Sequence, residues 1–398
     1  MKKRIGMILD QKFPTDVRVE NEAMSLIKNG FEVFLFCYTY NNNEPLKENY
    51  KGLQINRMNV SRKNVRKMRG LVNVLPIYEK FLYRKIYEFI LKNGIEILHV
   101  HDLYLLGVCL KLKKETGIKI VSDLHENYVE GLKHYRFANS FPGNILISIK
   151  KWQRVEVEWL NNVDKIIVVV EEAVQRLKSS GIGPGKITVV ENYLNYRDYD
   201  KFAIDENIQR KYDGEFVLSY IGAIDFHRGI HTVVEALEKL KSKNLPLRVI
   251  IVGSGRVLNE LKEMASSYRL GNRLEFLGHQ PHKLLRSYVE VSSIGLIPHL
   301  KTGHTDNTLP HKLFHYMYLK KPVLVSNCNP LTRIVEHCEC GRVFTSNDST
   351  DLALNIEWFV KNREKLATMG MQGHDALMSK YNWYNAEQRL IELYENIE

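Results

Sequence analysis

Short β-branched or apolar runs alternate with longer stretches of helical periodicity along the whole chain, and this alternation limits the possible folds more than any other feature. Strands separated by helices cannot pair as hairpins; they assemble as βαβ units into parallel sheets covered on both faces. Strand candidates in the first half are 4–9, 32–38, 96–100, 119–122 and 165–170. In the second half they are 216–221, 248–252, 274–277, 294–297 and 322–326. Each set predicts an α/β fold of the doubly wound, Rossmann-like kind. The expected organisation is a first domain over 1–195, a polar linker rich in Tyr, Asn and Asp over 196–213, a second domain over 214–380, and a terminal helix over 381–398. Ligands of such sheets sit beyond the carboxyl ends of the strands, so the two domains are expected to face a cleft that holds the active site.

With 398 residues, 44% hydrophobic and 26% charged, each half is long enough to bury a core, and collagenous, low-complexity or wholly disordered chains are excluded. No run approaches the roughly 18 apolar residues of a membrane helix, and Met1-Lys2-Lys3-Arg4 leads into an apolar run too short for a signal sequence. A cytoplasmic protein is expected. Cysteines 37, 109, 328, 338 and 340 form no CxxC pair, which fits reduced thiols and no structural zinc.

The net charge of +11 is unevenly placed: residues 51–100 hold 11 basic and 3 acidic side chains. Ser61 to Arg69 has five cations and no acid, and Leu71 to Leu91 continues as an amphipathic helical pattern. Residues 61–91 read either as a solvated basic face or as a surface for anionic membrane or lipid phosphate, which would place the protein peripherally on the inner face of the cell membrane. Nucleic acid is disfavoured, since no finger, RNP or similar recognition motif is present.

Four constellations carry chemistry. Strand 248–252 runs into Gly253-Ser254-Gly255, but position 258 is Leu and the first strand ends without glycine, so a nicotinamide enzyme is disfavoured. The strand ending at Gly222 leads to Arg228-Gly229 at a helix start, where a guanidinium beside free N–H groups suits a diphosphate; a plain surface arginine is the alternative. Leu309-Pro310-His311-Lys312 opens a short helix on which Lys312 and His315 share a face. In the first domain, His99-Val100-His101-Asp102 and Asp123-Leu124-His125-Glu126 end adjacent strands. These His and Asp groups lack metal-site spacing, so no metal is expected there.

In order and spacing these segments, with Asp16-Val17-Arg18-Val19 and Leu274-Glu275-Phe276-Leu277-Gly278, resemble the retaining sugar-nucleotide glycosyltransferases of the two-lobed GT-B fold, glycosyltransferase family four in particular. The resemblance implies a nucleotide-sugar donor on the second lobe and a saccharide or lipid-linked acceptor on the first, with no metal or other cofactor. It implies catalytic roles for His125, which approaches the transferring sugar, and for Arg228 and Lys312, which neutralise the donor diphosphate. Gly222, Gly253, Gly255, Asn307, Leu309, Pro310 and His315 complete the expected donor site, and Asp16, Arg18, Asp102 and Glu126 the acceptor side. The terminal helix resembles one that returns to the first lobe. Three departures stand out: the family's two glutamates, eight positions apart, read Asn307 and His315; Ala223 replaces a basic residue; and Phe13-Pro14-Thr15-Asp16 replaces an early glycine-rich loop. The expected reaction is sugar transfer with retention, in cell-surface polysaccharide or glycolipid synthesis. A sugar-nucleotide epimerase of the same architecture and a non-catalytic assembly partner are the alternatives.

Overall fold

The computed structural model describes residues 3–133, 138, 140, 141 and 143–397; Met1 and Lys2 of the basic start, and Glu398 of the expected terminal helix, lie outside them. The chain forms two α/β units, Met1–Asn192 with Ala386–Glu398, and Tyr193–Asn385. In the first, β1 (Arg4–Lys12), β2 (Glu32–Thr39), β3 (Lys47–Tyr50), β4 (Leu53–Asn59), β5 (Ile97–His101), β6 (Lys119–Leu124), β7 (Lys165–Val168) and β8 (Ile187–Val189) make one sheet in the order β3-β4-β2-β1-β5-β6-β7-β8. Only the β3–β4 pair is antiparallel. In the second, β9 (Val217–Ile221), β10 (Arg248–Val252), β11 (Leu274–Gly278), β12 (Ile294–Ile297), β13 (Val323–Ser326) and β14 (Gly341–Phe344) run in the order β11-β10-β9-β12-β13-β14, all parallel. Both sheets are doubly wound, as the periodicity predicts. Strand order reverses between β1 and β5, and between β9 and β12, and those reversals are where such sheets open a binding crevice.

The strands are continuous apolar runs because helices cover both faces. Val249, Ile250, Ile251 and Val252 are all buried, and the helix Ile230–Lys239 lays Val233, Val234 and Leu237 into the core with Leu218 and Phe359. Each such side chain contributes about 1.5–3 kcal/mol by leaving water.

The structure departs from the periodicity where polar residues do structural work. The β3–β4 hairpin turns on Lys51 and Gly52, both at positive φ, and its inward residues are Leu53, Ile55 and Arg57. Arg57 donates to the Pro45 carbonyl and pairs with Glu48, so a buried cation holds a position that reads as exposed. The segment expected as a linker, 196–213, folds into the helices Tyr196–Tyr199 and Glu206–Lys211 and counts with the second unit. Arg286 organises it by donating to the carbonyls of Tyr199, Asp200 and Phe202. The basic stretch is itself helical: α2 (Arg62–Gly70) precedes a short loop and α3 (Ile77–Asn93). The last helix, Trp383–Glu395, begins in the second unit and ends in the first. There Glu387 accepts from the Ser25 hydroxyl at 2.7 Å, Arg389 donates to the Val189 carbonyl, and Tyr394 lies 2.6 Å from His99 Nδ1.

Candidate functional site

Each unit carries one cluster at the carboxyl ends of its central strands. In the second unit, β9 and β10 are followed directly by Gly222 and Gly253, with φ of 141° and 149°. A Cβ on Gly253 would stand 1.9 Å from the Gly222 carbonyl oxygen, and one on Gly255 2.0 Å from that of Ile224, so the two strand-end loops touch through backbone alone. The loops are joined by Gly222 N–H to the Val252 carbonyl and Ile224 N–H to the Ser254 carbonyl. The chain then turns through Phe226–Arg228 into the helix Ile230–Lys239.

Cations converge on this loop pair. The Lys312 ammonium lies 3.6 Å from the centre of the Tyr220 ring, and a Cβ on Gly222 would stand 2.9 Å from it. Arg228 Nη1 donates to His299 Nε2 at 3.3 Å, across the point where strand order reverses. Burial, then the Arg228 and Lys312 charges, hold the His299 imidazole well below its ordinary pKa, so it stays neutral and accepts. Burial, then Arg228, pushes the Lys312 ammonium well below its usual range as well. Among the described residues no carboxylate forms an ion pair with Arg228 or Lys312, and Asp225, three positions before Arg228, pairs with Arg256 instead. Half-buried cations without a counter-ion are an electrostatic deficit that an anion would fill.

The other expected donor-side residues lie along the chain leading to this helix. Leu309 is buried and Pro310 half-buried, just before the helix Lys312–Tyr318. Asn307 Nδ2 donates to the Gly303 carbonyl, leaving a buried Oδ1 that accepts nothing from the described residues. His315 stacks on Tyr199 with ring centres 4.7 Å apart, and burial, then His311, His282 and Lys312, lowers its pKa to about 3. It is therefore a neutral imidazole tied to the segment expected to be a linker.

The first unit's cluster is a buried ion network. Asp123, at the end of β6, takes a bidentate pair from Arg18 at 3.0 and 2.7 Å, and Arg18 also pairs with Glu22 at 2.8 Å. His125 Nε2 lies 2.9 Å from Asp123 Oδ2 and 3.0 Å from His101 Nδ1. Burial alone would lower the His125 pKa, but the Asp123 and Asp102 carboxylates overcome it and raise the group to about 10, so His125 is an imidazolium at neutral pH. His101 is the converse: burial, then His99, lowers it to about 3. Burial raises Asp102 to about 6, and its backbone sits at φ 70°. Glu126, half-buried, adds charge near Asp102.

Two expected acceptor-side residues have other positions. Asp16 caps α1 (Val17–Lys28), accepting from the N–H groups of Arg18 and Val19. Arg18 is 3% exposed and spends its guanidinium on Asp123, Glu22 and the Val190 carbonyl, so it holds the network together and presents nothing to a ligand. The network also contains Glu22 and Tyr394, and beside it Asp10 accepts from Tyr78 and Tyr104 at 2.8 and 2.7 Å and pairs with Arg69. Glu22, His99, His101 and Asp123 bring metal-ligand atom types within 4.8 Å of one another, but Arg18 already occupies both carboxylates and supplies the cation they require.

The raised His125 pKa has a thermodynamic consequence. An unfolded histidine loses its proton near 6.5 and the folded one near 10, so the stabilisation is complete below 6.5 and is lost as pH rises from 6.5 to 10. Glu22, raised to about 8 by burial first, also loosens the fold as pH climbs, but its window runs from 4.5 to 8. Between pH 8 and 10 the Tm of the wild type is expected to fall more steeply than that of His125→Gln, measured by calorimetry in matched buffers.

The sequence profile described as "Glycosyltransferase Family 4" matches residues 16–196, and that described as "Glycosyl transferases group 1" matches residues 201–375. Among curated relatives, the phosphatidylinositol N-acetylglucosaminyltransferase GPI3 subunit of Saccharomyces cerevisiae is 22% identical over 99% of this chain and 83% of its own. The N-acetyl-alpha-D-glucosaminyl L-malate synthase of Bacillus anthracis is 21% identical over 81% of this chain and 79% of its own. Among solved structures, sucrose-phosphate synthase from Thermosynechococcus elongatus superposes with a TM-score of 0.78 at 17% identity, over 99% of this chain and 98% of that one. HepE from Anabaena, in complex with UDP and glucose, superposes with a TM-score of 0.75 at 15% identity, over 99% of this chain and all of the other.

Proposed function

Because the chain belongs to the group 1 glycosyl transferases, carrying a family 4 half at 16–196 and a group 1 half at 201–375, we propose that it moves a sugar from a nucleotide-sugar to a saccharide or lipid-linked acceptor with retention of configuration. The observation that carries this reading is the second unit's cation cluster: Arg228 and Lys312, without a carboxylate partner among the described residues, beside two loops closed down to backbone. A diphosphate supplies the missing anion, and its oxygens fall to the two side-chain cations, since the N–H groups of Gly222, Ile224 and Gly253 already bond to backbone carbonyls. Asn307, with its buried and unmatched Oδ1, offers an acceptor to a sugar or ribose hydroxyl. The complexes of HepE with UDP and glucose are consistent with a uridine diphosphate donor.

During transfer the bond between the sugar's anomeric carbon and the phosphate oxygen breaks, and negative charge grows on the departing diphosphate. Arg228 and Lys312 are already in place to receive it, so no metal is required. The acceptor oxygen forms its new bond on the face the diphosphate leaves, and its proton passes to the leaving phosphate oxygen. In the first unit His125 orients the transferring sugar, while Asp102 and Glu126 anchor acceptor hydroxyls; Asp123 and Asp102 keep His125 protonated, and Arg18 holds Asp123 in place. Membrane-borne acceptors bring the protein to anionic bilayers through the basic 61–91 segment, in polysaccharide or glycolipid synthesis.

A melting-temperature screen over UDP-, GDP-, dTDP- and ADP-sugars tests the donor. One nucleotide series should raise the Tm progressively with ligand concentration, as binding to the folded state requires, and Arg228→Ala should abolish the rise. No response to any series would remove the proposal.

A further inference from the structure

The first unit exposes a second group of apolar side chains outside the basic segment. Phe141 is 80% exposed and Ile145 73%, with Leu146 beside them on the one-turn helix Gly143–Leu146. A second exposed pair, Leu75 and Ile77, flanks Pro76 in the loop between α2 and α3. The two groups are neighbours, because Lys151, in the first turn of the helix Ile149–Asn162, donates to the Asn73 carbonyl of that loop. Both segments are fastened to the core behind them: Trp152 packs against Tyr128 and Trp159, and Tyr78 reaches Asp10. The apolar tips are therefore held outward on anchored elements.

Exposed cations flank them. Arg62, Lys63, Arg66 and Lys67 project from α2, and Lys150 and Lys151 from the start of the helix behind the apolar turn. Arg69, the fifth cation of the basic run, turns toward Asp10 and is not part of this face. Apolar tips bordered by positive charge match the two layers of an anionic bilayer surface, with headgroup charge outside and hydrocarbon beneath. The same border argues against a second copy of the chain, whose cations would meet these.

We infer that Phe141, Ile145 and Leu146 form a wedge that enters the hydrocarbon of an anionic membrane, with Leu75 and Ile77 following it and the flanking cations holding the headgroups. This deepens the proposed attachment through 61–91, which by itself predicts only an electrostatic and salt-sensitive contact.

All five native cysteines are buried, so Phe141→Cys gives a single accessible thiol for an environment-sensitive fluorophore on the full-length protein. Mixing with phosphatidylcholine vesicles containing phosphatidylglycerol should raise its emission several-fold and shift it to the blue. Vesicles of phosphatidylcholine alone should change it little. In co-sedimentation at 0.5 M NaCl, where exposed charge pairs are screened, the wild type should keep most of its binding and the triple variant Phe141→Ser, Ile145→Ser, Leu146→Ser should lose at least tenfold. The variant's melting temperature should match the wild type, as the positions are exposed.

If the triple variant binds like the wild type while reversal of Arg62, Lys63, Arg66 and Lys67 abolishes binding, the wedge is wrong and the electrostatic attachment stands. If neither change weakens binding, or no vesicle binds, both are wrong. A dimer in sedimentation velocity that the triple variant dissolves would assign the face to self-association instead.

Discussion

Arg228→Ala should lower kcat for sugar transfer by about 10²–10³, the cost of removing one preorganised donor from developing oxyanion charge. Its effect on the unliganded fold should be small and of opposite sign. Arg228 donates to His299 and lies close enough to Lys312 to depress its pKa, and among the described residues none of the three has a carboxylate partner. Removing the guanidinium relieves that repulsion, so the Tm without nucleotide should hold or rise slightly while the Tm gained from nucleotide disappears. Arg228→Lys keeps the charge and loses the two-pronged geometry, and should recover only part of the rate. Saturation kinetics with melting curves on the same preparations decide the matter. A kcat within twofold of wild type for Arg228→Ala would return the residue to the role of a surface cation.

Asp123→Asn should cost about 3–5 kcal/mol of stability, because it takes the bidentate carboxylate from the buried Arg18 guanidinium and leaves Glu22 alone to offset that charge. In a unit of this size that is a fall in Tm on the order of 10 °C. The loss belongs to the broken pair more than to any net value of the pair, so removing both charges together, Arg18→Met with Asp123→Leu, should recover most of it. The single variant should also lose transfer at pH 8, since His125 owes its proton there largely to Asp123. Differential calorimetry on the two singles and the double gives the coupling directly. A drop of only a degree or two for Asp123→Asn would mean that water or a backbone shift solvates Arg18.

What the sequence disclosed follows from how local each signal is. Strands β10 and β12 lie where their apolar runs place them, because a buried parallel strand is written in consecutive residues. The glycines and cations after β9 were readable for the same reason: a strand end, a turn and a helix start occupy about ten residues. The ion network was not readable, since Arg18 and Asp123 stand 105 positions apart and an arginine in a first helical turn normally faces water. Asp10 gives no signal of its own, because one acid at the end of an apolar strand carries no spacing and its partners Tyr78 and Tyr104 come from other elements. The hairpin at 47–59 was hidden by polarity, as its buried Arg57 breaks the alternation a strand would otherwise show. The 196–213 stretch reads as a linker for the reverse reason: its polar side chains serve helices closed by Arg286, which lies more than 80 positions later.

The first unit takes Ala386–Glu398 as well as its own amino-terminal stretch, and Lys3 reaches the Ile397 carbonyl at 2.7 Å. On the ribosome the half that is synthesised first must therefore wait for residues that follow the whole of the second unit, and the second unit can finish before it. A nascent chain stalled before residue 386 holds an amino-terminal half still open along one side, with His99 lacking the Tyr394 hydroxyl that covers it.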